Sequence, residues 1–175
     1  MHFELTQRLA APAPDVAAAY TDPAFYKALA GLPKLGAPEV LDRAGTNGHV
    51  RLRVRYRFVG DLSAAVRAVV DPGKLTWVEV SDHDIATRTA EFHLEPDNYA
   101  DRLSCRGSYR FDPEPANAGA TLRTSQGELK VRAPLVAAAV ERAIISGLEE
   151  HLVAEVPLLE RWLAERSDHP ERPER

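Results

Sequence analysis

Two polar side chains interrupt the apolar side of the last long segment of this sequence, PLVAAAVERAIISGLEEHLVAEVPLLERWLAER, which runs from Pro134 to Arg166. They are His151 and Glu155, one helical turn apart. An imidazole followed by a carboxylate at this spacing has three readings. It is a core histidine hydrogen-bonded to its neighbours, since buried polar groups find partners. It lines a cavity and orients a ligand carbonyl or hydroxyl. Or it is a general base, with a pKa near neutrality that the carboxylate raises. The pair could also donate to a metal with a third ligand from elsewhere, but two ligands at modest spacing do not make a site, and no metal or cofactor is expected. Glu155 could instead stand at the mouth of a groove, where Pro157 loosens the helix by removing a backbone donor.

Other candidates lie upstream. Arg88 falls on the apolar face of an alternating stretch, Ala86 to Glu95, together with Ala90, Phe92 and Leu94. It is either exposed at the strand end or a buried cation that needs a carboxylate, and in a cavity it would suit a ligand carboxylate or phenolate. Tyr56, Tyr109, Thr124 and Gln126 face inward by alternation; a buried tyrosine hydroxyl needs a partner whether or not it does chemistry. Cys105 reads as a small inert hydrophobe. Phosphate loops, dinucleotide fingerprints, nucleophile elbows and metalloprotease helix motifs do not occur in the sequence.

The long segment must position His151 and Glu155. At helical angles Val136, Val140, Ile144, Leu148, Leu152 and Leu159 share one sector, with Glu141 near its edge. Gly147 sits in that sector, where a bulkier side chain is expected to push the partner surface away. The partner is read from the rest of the chain. His2 to Leu9 alternates as a strand. Two short helices follow, the second opening at Asp22-Pro23 with proline at its first position. Six further strands are expected. The second, Pro38 to Ala44, leads through Thr46-Asn47-Gly48 into the third, where Val50, Leu52, Val54, Tyr56 and Phe58 alternate with Arg51, Arg53, Arg55 and Arg57. That arginine row is a solvated face neutralised by neighbouring acids, or a dock for an acidic partner. A short helix or turn over LSAAVRAVV precedes the fourth strand, Leu75 to Ser81, and Asp82-His83-Asp84 is expected to turn into the fifth. The sixth strand puts Leu103, Cys105, Gly107, Tyr109 and Phe111 inward. In the seventh, Ala120 to Val131, Gly127 interrupts the alternation and is expected to mark a bulge.

The expected fold is therefore α+β: a curved, seven-stranded antiparallel sheet wrapped around a long C-terminal helix, with two short helices after strand one. The chain has 175 residues, 45% of them hydrophobic, which suits one core; a single domain over residues 1–166 with a disordered tail, 167–175, is expected. A net charge of −4 favours neither nucleic acid nor anionic membrane. A lone cysteine excludes an internal disulfide, and no apolar run reaches the roughly 20 residues of a membrane span. The first residues lack a signal-peptide layout, so the cytoplasm is the expected location; oligomeric state is open.

This order of elements resembles the START-like, or Bet v 1-like, helix-grip superfamily (SRPBCC). More narrowly, Gly127, Leu129, Val131, Pro134, Leu135, Val136, Glu141 and Trp162 resemble the end of a START-like family that is a bacterial domain of unknown function, with Ala137 and Ala138 where that family often has glycines. The resemblance carries no catalytic residues. It implies a cavity between sheet and helix that holds an apolar small molecule, lipid-like, polyketide-like or aromatic; some members of the superfamily are cyclases. Ile144, Gly147, His151, Glu155, Tyr56, Arg88, Phe92, Tyr109, Thr124 and Gln126 are the expected lining. Three functions follow: binding of an apolar or amphipathic small molecule; a cyclase, dehydratase or hydrolase using His151 with Tyr109 or Arg88; or a protein-interaction module built on the arginine face. The first is the leading expectation.

Overall fold

The structure, a computed structural model, describes residues 1–168 apart from 47, 69 and 134. Asn47 of the expected hairpin turn, Pro134 at the expected helix start, and residues 169–175 of the expected tail thus lie outside the described residues.

The elements are β1 (His2–Leu9), α1 (Ala13–Ala19), α2 (Pro23–Ala28), β2 (Glu39–Thr46), β3 (His49–Arg57), α3 (Ala64–Arg67), a 3-10 turn (Pro72–Lys74), β4 (Thr76–Asp84), β5 (Thr89–Pro96), β6 (Leu103–Glu114), β7 (Asn117–Val131) and α4 (Ala137–Asp168). All seven strands form one antiparallel sheet in the order β1-β7-β6-β5-β4-β3-β2. Strands β2 to β7 are a meander, and β1 closes onto the far side of β7. This is the helix-grip arrangement, with α4 lying across the concave face.

Local chemistry explains the elements. Asp22 caps α2, its carboxylate accepting from the Ala24 N–H at 2.8 Å, and Pro23 takes the first helical position. In β3, Val50, Leu52, Val54 and Tyr56 are buried and the arginines between them face out. Those arginines meet acids: Arg51 lies 2.7 Å from Asp82 of β4, Arg53 2.8 Å from Glu95 of β5 and Arg55 3.6 Å from Asp97 just after β5. From Arg51 to Arg55 the row is a solvated, neutralised face. Its stems do further work, because Val78 and Val80 of β4 point outward beside Arg55 and Arg53 and are buried there.

Two sequence expectations fail for β4 and β7. Asp82-His83-Asp84 continues β4 instead of turning, and the turn falls at residues 85–88, where the Asp84 carboxylate accepts from the Ala86 and Thr87 N–H groups. In β7 no bulge occurs at Gly127, which pairs directly with Gly107 in unbroken register; the one shift is at Pro113/Glu114. The two glycines instead allow close approach. A Cβ on Gly107 would lie 2.8 Å from the Phe92 ring, and one on Gly127 2.8 Å from the Phe3 ring.

Helix α4 is anchored at both ends. The Glu141 carboxylate accepts from the Val131 N–H at 2.9 Å, tying the helix start to the end of β7, and Trp162 packs on Phe25 of α2 at 5.5 Å. Its second half is buried through Leu152 and Leu159, whereas Ile144 in its first half is 37% exposed. The helix packs mainly on β1, β7, α1 and α2 and leaves an open space over part of the concave face of β3 to β5. No described helix is long and apolar enough to cross a membrane.

Candidate functional site

That uncovered space is a cavity of about 540 Å³, within the range of small-molecule sites. Its floor is the inward face of β3 to β7, and it is walled by Tyr26 of α2 and by α4 from Val140 to Glu155. It opens between the 61–75 segment and the first turns of α4, near Lys34, Ile144 and Gly147. The buried core correspondingly falls into two clusters, one around Phe25, Leu52 and Leu159, the other around Phe3, Phe92 and Leu129, with Tyr109 touching both.

The closed end is polar. Arg123 of β7 is 1% exposed and lies 2.6 Å from the Glu155 carboxylate. The same arginine donates to Gln7 at 3.2 Å and to the Leu152 carbonyl at 3.1 Å. Tyr20 completes the cluster, accepting from Arg123 and donating to Glu155. Burial pulls the Arg123 guanidinium below its ordinary pKa, and Glu155 opposes the shift. His151 Nε2 stands 3.5 Å from the other Glu155 oxygen. Its Nδ1 is buried with no partner among the described residues, as is Ser125 Oγ. Both line the cavity.

The floor carries a second cluster. Glu79 of β4 points inward between Val54 and Leu94 on its neighbours, and Tyr109 donates to its Oε2 at 3.1 Å. Burial raises the Glu79 carboxyl to about 7; the Tyr109 hydrogen bond lowers it and the Glu155 charge raises it further. Aromatic rings flank it: Tyr56 stacks on Trp77 at 6.0 Å, and Phe92 on Tyr109 at 4.6 Å. Burial holds the hydroxyls of Tyr26, Tyr56 and Tyr109 well above the ordinary tyrosine pKa. It pushes the Cys105 thiol up to about 12, and His83, whose Nε2 is 3.0 Å from Ser81 Oγ, down to about 4.

Seven of the ten expected lining residues meet at this cavity: Tyr56, Phe92, Tyr109, Ile144, Gly147, His151 and Glu155. Glu155 lies at the closed end, paired with Arg123, and not at the mouth. Gly147 is not there for close packing, since a Cβ would find only Lys34 Cδ, at 3.9 Å. Three expectations are corrected. Thr124 and Gln126 lie on the outer face of β7, because with no bulge at Gly127 the inward set counted back from Leu129 is Gly127, Ser125, Arg123 and Thr121. Arg88 is in the β4–β5 turn with φ 55°, outside the cavity lining, because β5 begins only at Thr89.

Sequence reasoning missed Glu79, Arg123, Ser125, His83 and Tyr20. The signal for Glu79 was present: TWVEV puts it on the same face as Trp77, opposite Val78 and Val80. For Arg123 and Ser125 the signal was the count back from Leu129 and Val131. His83 was hidden by the turn assigned over it. Among the described residues, no group of three His, Cys, Asp or Glu side chains is placed to hold a metal.

An antiparallel sheet gripping a long helix, with an apolar cavity between them and a few buried polar groups, defines a helix-grip protein. This chain belongs to the family described as a protein of unknown function, DUF2505, whose model matches residues 4–163. No curated protein matches it in sequence. Its fold is similar to that of TTHA0849 from Thermus thermophilus (18% identity, 95% of this chain and 99% of that one, TM-score 0.68). It is similar to the Zhui aromatase/cyclase from Streptomyces sp. R1128 (19% identity, 97% of each chain, TM-score 0.64). It is also similar to norcoclaurine synthase from Thalictrum flavum (18% identity, 94% of this chain and 87% of that one, TM-score 0.62).

Proposed function

We propose that this protein binds an apolar or amphipathic small molecule in the cavity between sheet and C-terminal helix. The observation that carries the reading is the cavity itself: about 540 Å³, walled by aromatic and aliphatic side chains, with the buried, unpartnered His151 Nδ1 and Ser125 Oγ on its lining. An apolar pocket with a few fixed polar groups is the ordinary design of a small-molecule site. Leaving a polar atom buried without a partner costs about 1–3 kcal/mol, which a ligand hydroxyl or carbonyl would recover. The similar folds of an aromatase/cyclase and of norcoclaurine synthase support a cavity used for small molecules.

Native mass spectrometry of the protein purified from its own host tests this. A small molecule that remains bound in native conditions and leaves on denaturation is expected. An empty protein that also takes up nothing from an organic extract of that host overturns the reading.

A second reading is an enzyme of the cyclase, dehydratase or hydrolase type in the same cavity. One observation favours it: a carboxyl poised at about 7 beside a tyrosine hydroxyl can take and return a proton near neutral pH. Its acid–base set is then Glu79 with Tyr109, since Arg88 is outside the cavity. The docking reading has less support, because Arg51, Arg53 and Arg55 already face acids.

A further inference from the structure

Among the described residues, Glu79 is a carboxylate without an ion-pair partner. Tyr109 occupies its Oε2, and Oε1 has no partner among the described residues. The buried cation of the cavity, Arg123, is committed to Glu155, so that pair is neutral as a unit. The basic side chains along the mouth, Lys34, Lys74, Arg102 and Arg132, make no ion pair with Glu79; Lys34 is held by Glu150 at 2.5 Å. An ionised Glu79 is therefore a negative charge on the cavity floor with no ion-pair partner among the described residues, in a place where burial makes such a charge costly.

The walls around this carboxylate suit a cation. Tyr56 and Trp77 stack at 6.0 Å with 21° between their planes, and Phe92 and Tyr109 at 4.6 Å with 18°. Aromatic faces attract an ammonium group through their quadrupole, and more strongly when it is desolvated. The arrangement is built by the sheet. Gly107 leaves room for the Phe92 ring, and Phe92 supports Tyr109, which reaches across β5 to Glu79.

We propose that Glu79 anchors a cationic nitrogen, so that the molecule held in the cavity is a hydrophobic amine with its ammonium group against Glu79 and its apolar part toward the mouth. The inference rests on the cavity reading above. Binding displaces the carboxyl proton to solvent, and no bond is made or broken elsewhere. The titratable or charged groups coupled to Glu79 are Tyr26 of α2, Tyr56 of β3, Tyr109 and Cys105 of β6, and Glu155 of α4; His83 of β4, Arg123 of β7 and His151 of α4 line the same cavity. Burial keeps the tyrosines and the cysteine neutral near pH 7, and Glu155 is closed by Arg123. Affinity for an amine that stays protonated thus follows the ionised fraction of Glu79, which rises about ten-fold between pH 6 and pH 8.

Isothermal titration calorimetry of the full chain with 4-phenylbutylamine, 4-phenylbutanol and 4-phenylbutyrate tests the inference. The amine is expected to bind at least about ten-fold more tightly than either analogue, and about ten-fold more tightly at pH 8 than at pH 6. Glu79→Gln is expected to abolish both the preference and the pH slope. Glu91→Gln, which removes a carboxylate from the exposed outer face of β5 and leaves Glu79 in place, is expected to keep the preference. Equal or tighter binding of the alcohol or the carboxylate overturns the inference, and so does amine binding that weakens as pH rises. If none of the three binds while the neutral dye Nile red is still taken up, the amine inference alone falls. If Nile red is also excluded, the cavity reading falls with it.

Discussion

Arg123 Nη1 lies 2.6 Å from Glu155 Oε1, with both side chains almost wholly out of water and Tyr20, Gln7 and the Leu152 carbonyl completing the hydrogen bonds. The pair joins β7 to α4 at the closed end of the cavity. Desolvating two ions cancels much of their attraction, so the pair adds little net stability, whereas breaking it strands a buried charge. Arg123→Met alone is expected to destabilise the fold by about 3–5 kcal/mol, and the double variant Arg123→Met/Glu155→Met to be far closer to wild type or above it. Urea denaturation of the wild type, Arg123→Met, Glu155→Met and the double variant checks this; additive losses in the double variant would show that the pair is not coupled as described.

Glu79 and His83, two turns of the pleat apart on the inward face of β4, set opposite pH dependences. The Glu79 carboxyl is raised from 4.5 to about 7 on folding. Its contribution is fully present below pH 4.5 and is lost as pH rises through 7. The His83 imidazole is lowered from 6.5 to about 4. Its contribution is present above pH 6.5 and is lost as pH falls through 4. Each is of order 3 kcal/mol, so the two nearly cancel between about pH 4.5 and 6.5. Glu79→Gln is expected to lose stability as pH falls across this window, and His83→Gln to gain it. Chemical denaturation of each variant at pH 5, 6 and 7 reads the slopes; parallel slopes for the two variants would contradict the assignment.

Two glycines that look alike in sequence are expected to behave oppositely. A methyl at Gly107 meets the Phe92 ring at 2.8 Å as well as backbone of β7, so Gly107→Ala is expected to cost about 1–3 kcal/mol and to disturb the Phe92–Tyr109 stack. A methyl at Gly147 meets nothing nearer than 3.9 Å, and Gly147→Ala is expected to stabilise α4 by up to about 1 kcal/mol. Thermal melts of the two variants suffice, with near-ultraviolet circular dichroism reporting the aromatic stack.

Periodicity made much of this fold legible. Strand β3 alternates without interruption, β6 nearly so, and the sector from Val140 to Leu159 fixes which side of α4 meets the rest of the chain. The errors share one cause: alternation is only as good as its register. Assigning a bulge at Gly127 moved Thr124 and Gln126 inward and hid Arg123 and Ser125. Ending β4 at Ser81 hides His83 and lengthens β5 back to Ala86, which takes in Arg88. Depth is a separate matter. Alternation gives a face but not what covers it, so Ile144 in the apolar sector is exposed at the mouth, and Glu79 lies on the floor of a space that no local pattern encodes. A helical glycine such as Gly147 is consistent with a close approach, but the distance to its neighbours is a tertiary fact.

The central claim is that the space between the sheet and α4 receives an apolar molecule. Its most direct test is ¹⁵N chemical-shift mapping during titration with Nile red, a neutral apolar dye. Saturable changes are expected at Tyr56, Trp77, Glu79, Leu94, Tyr109, Ser125 and His151, whose side chains line the cavity. Changes confined to the outer row of Arg51, Arg53 and Arg55, or no saturable binding at all, would contradict that claim.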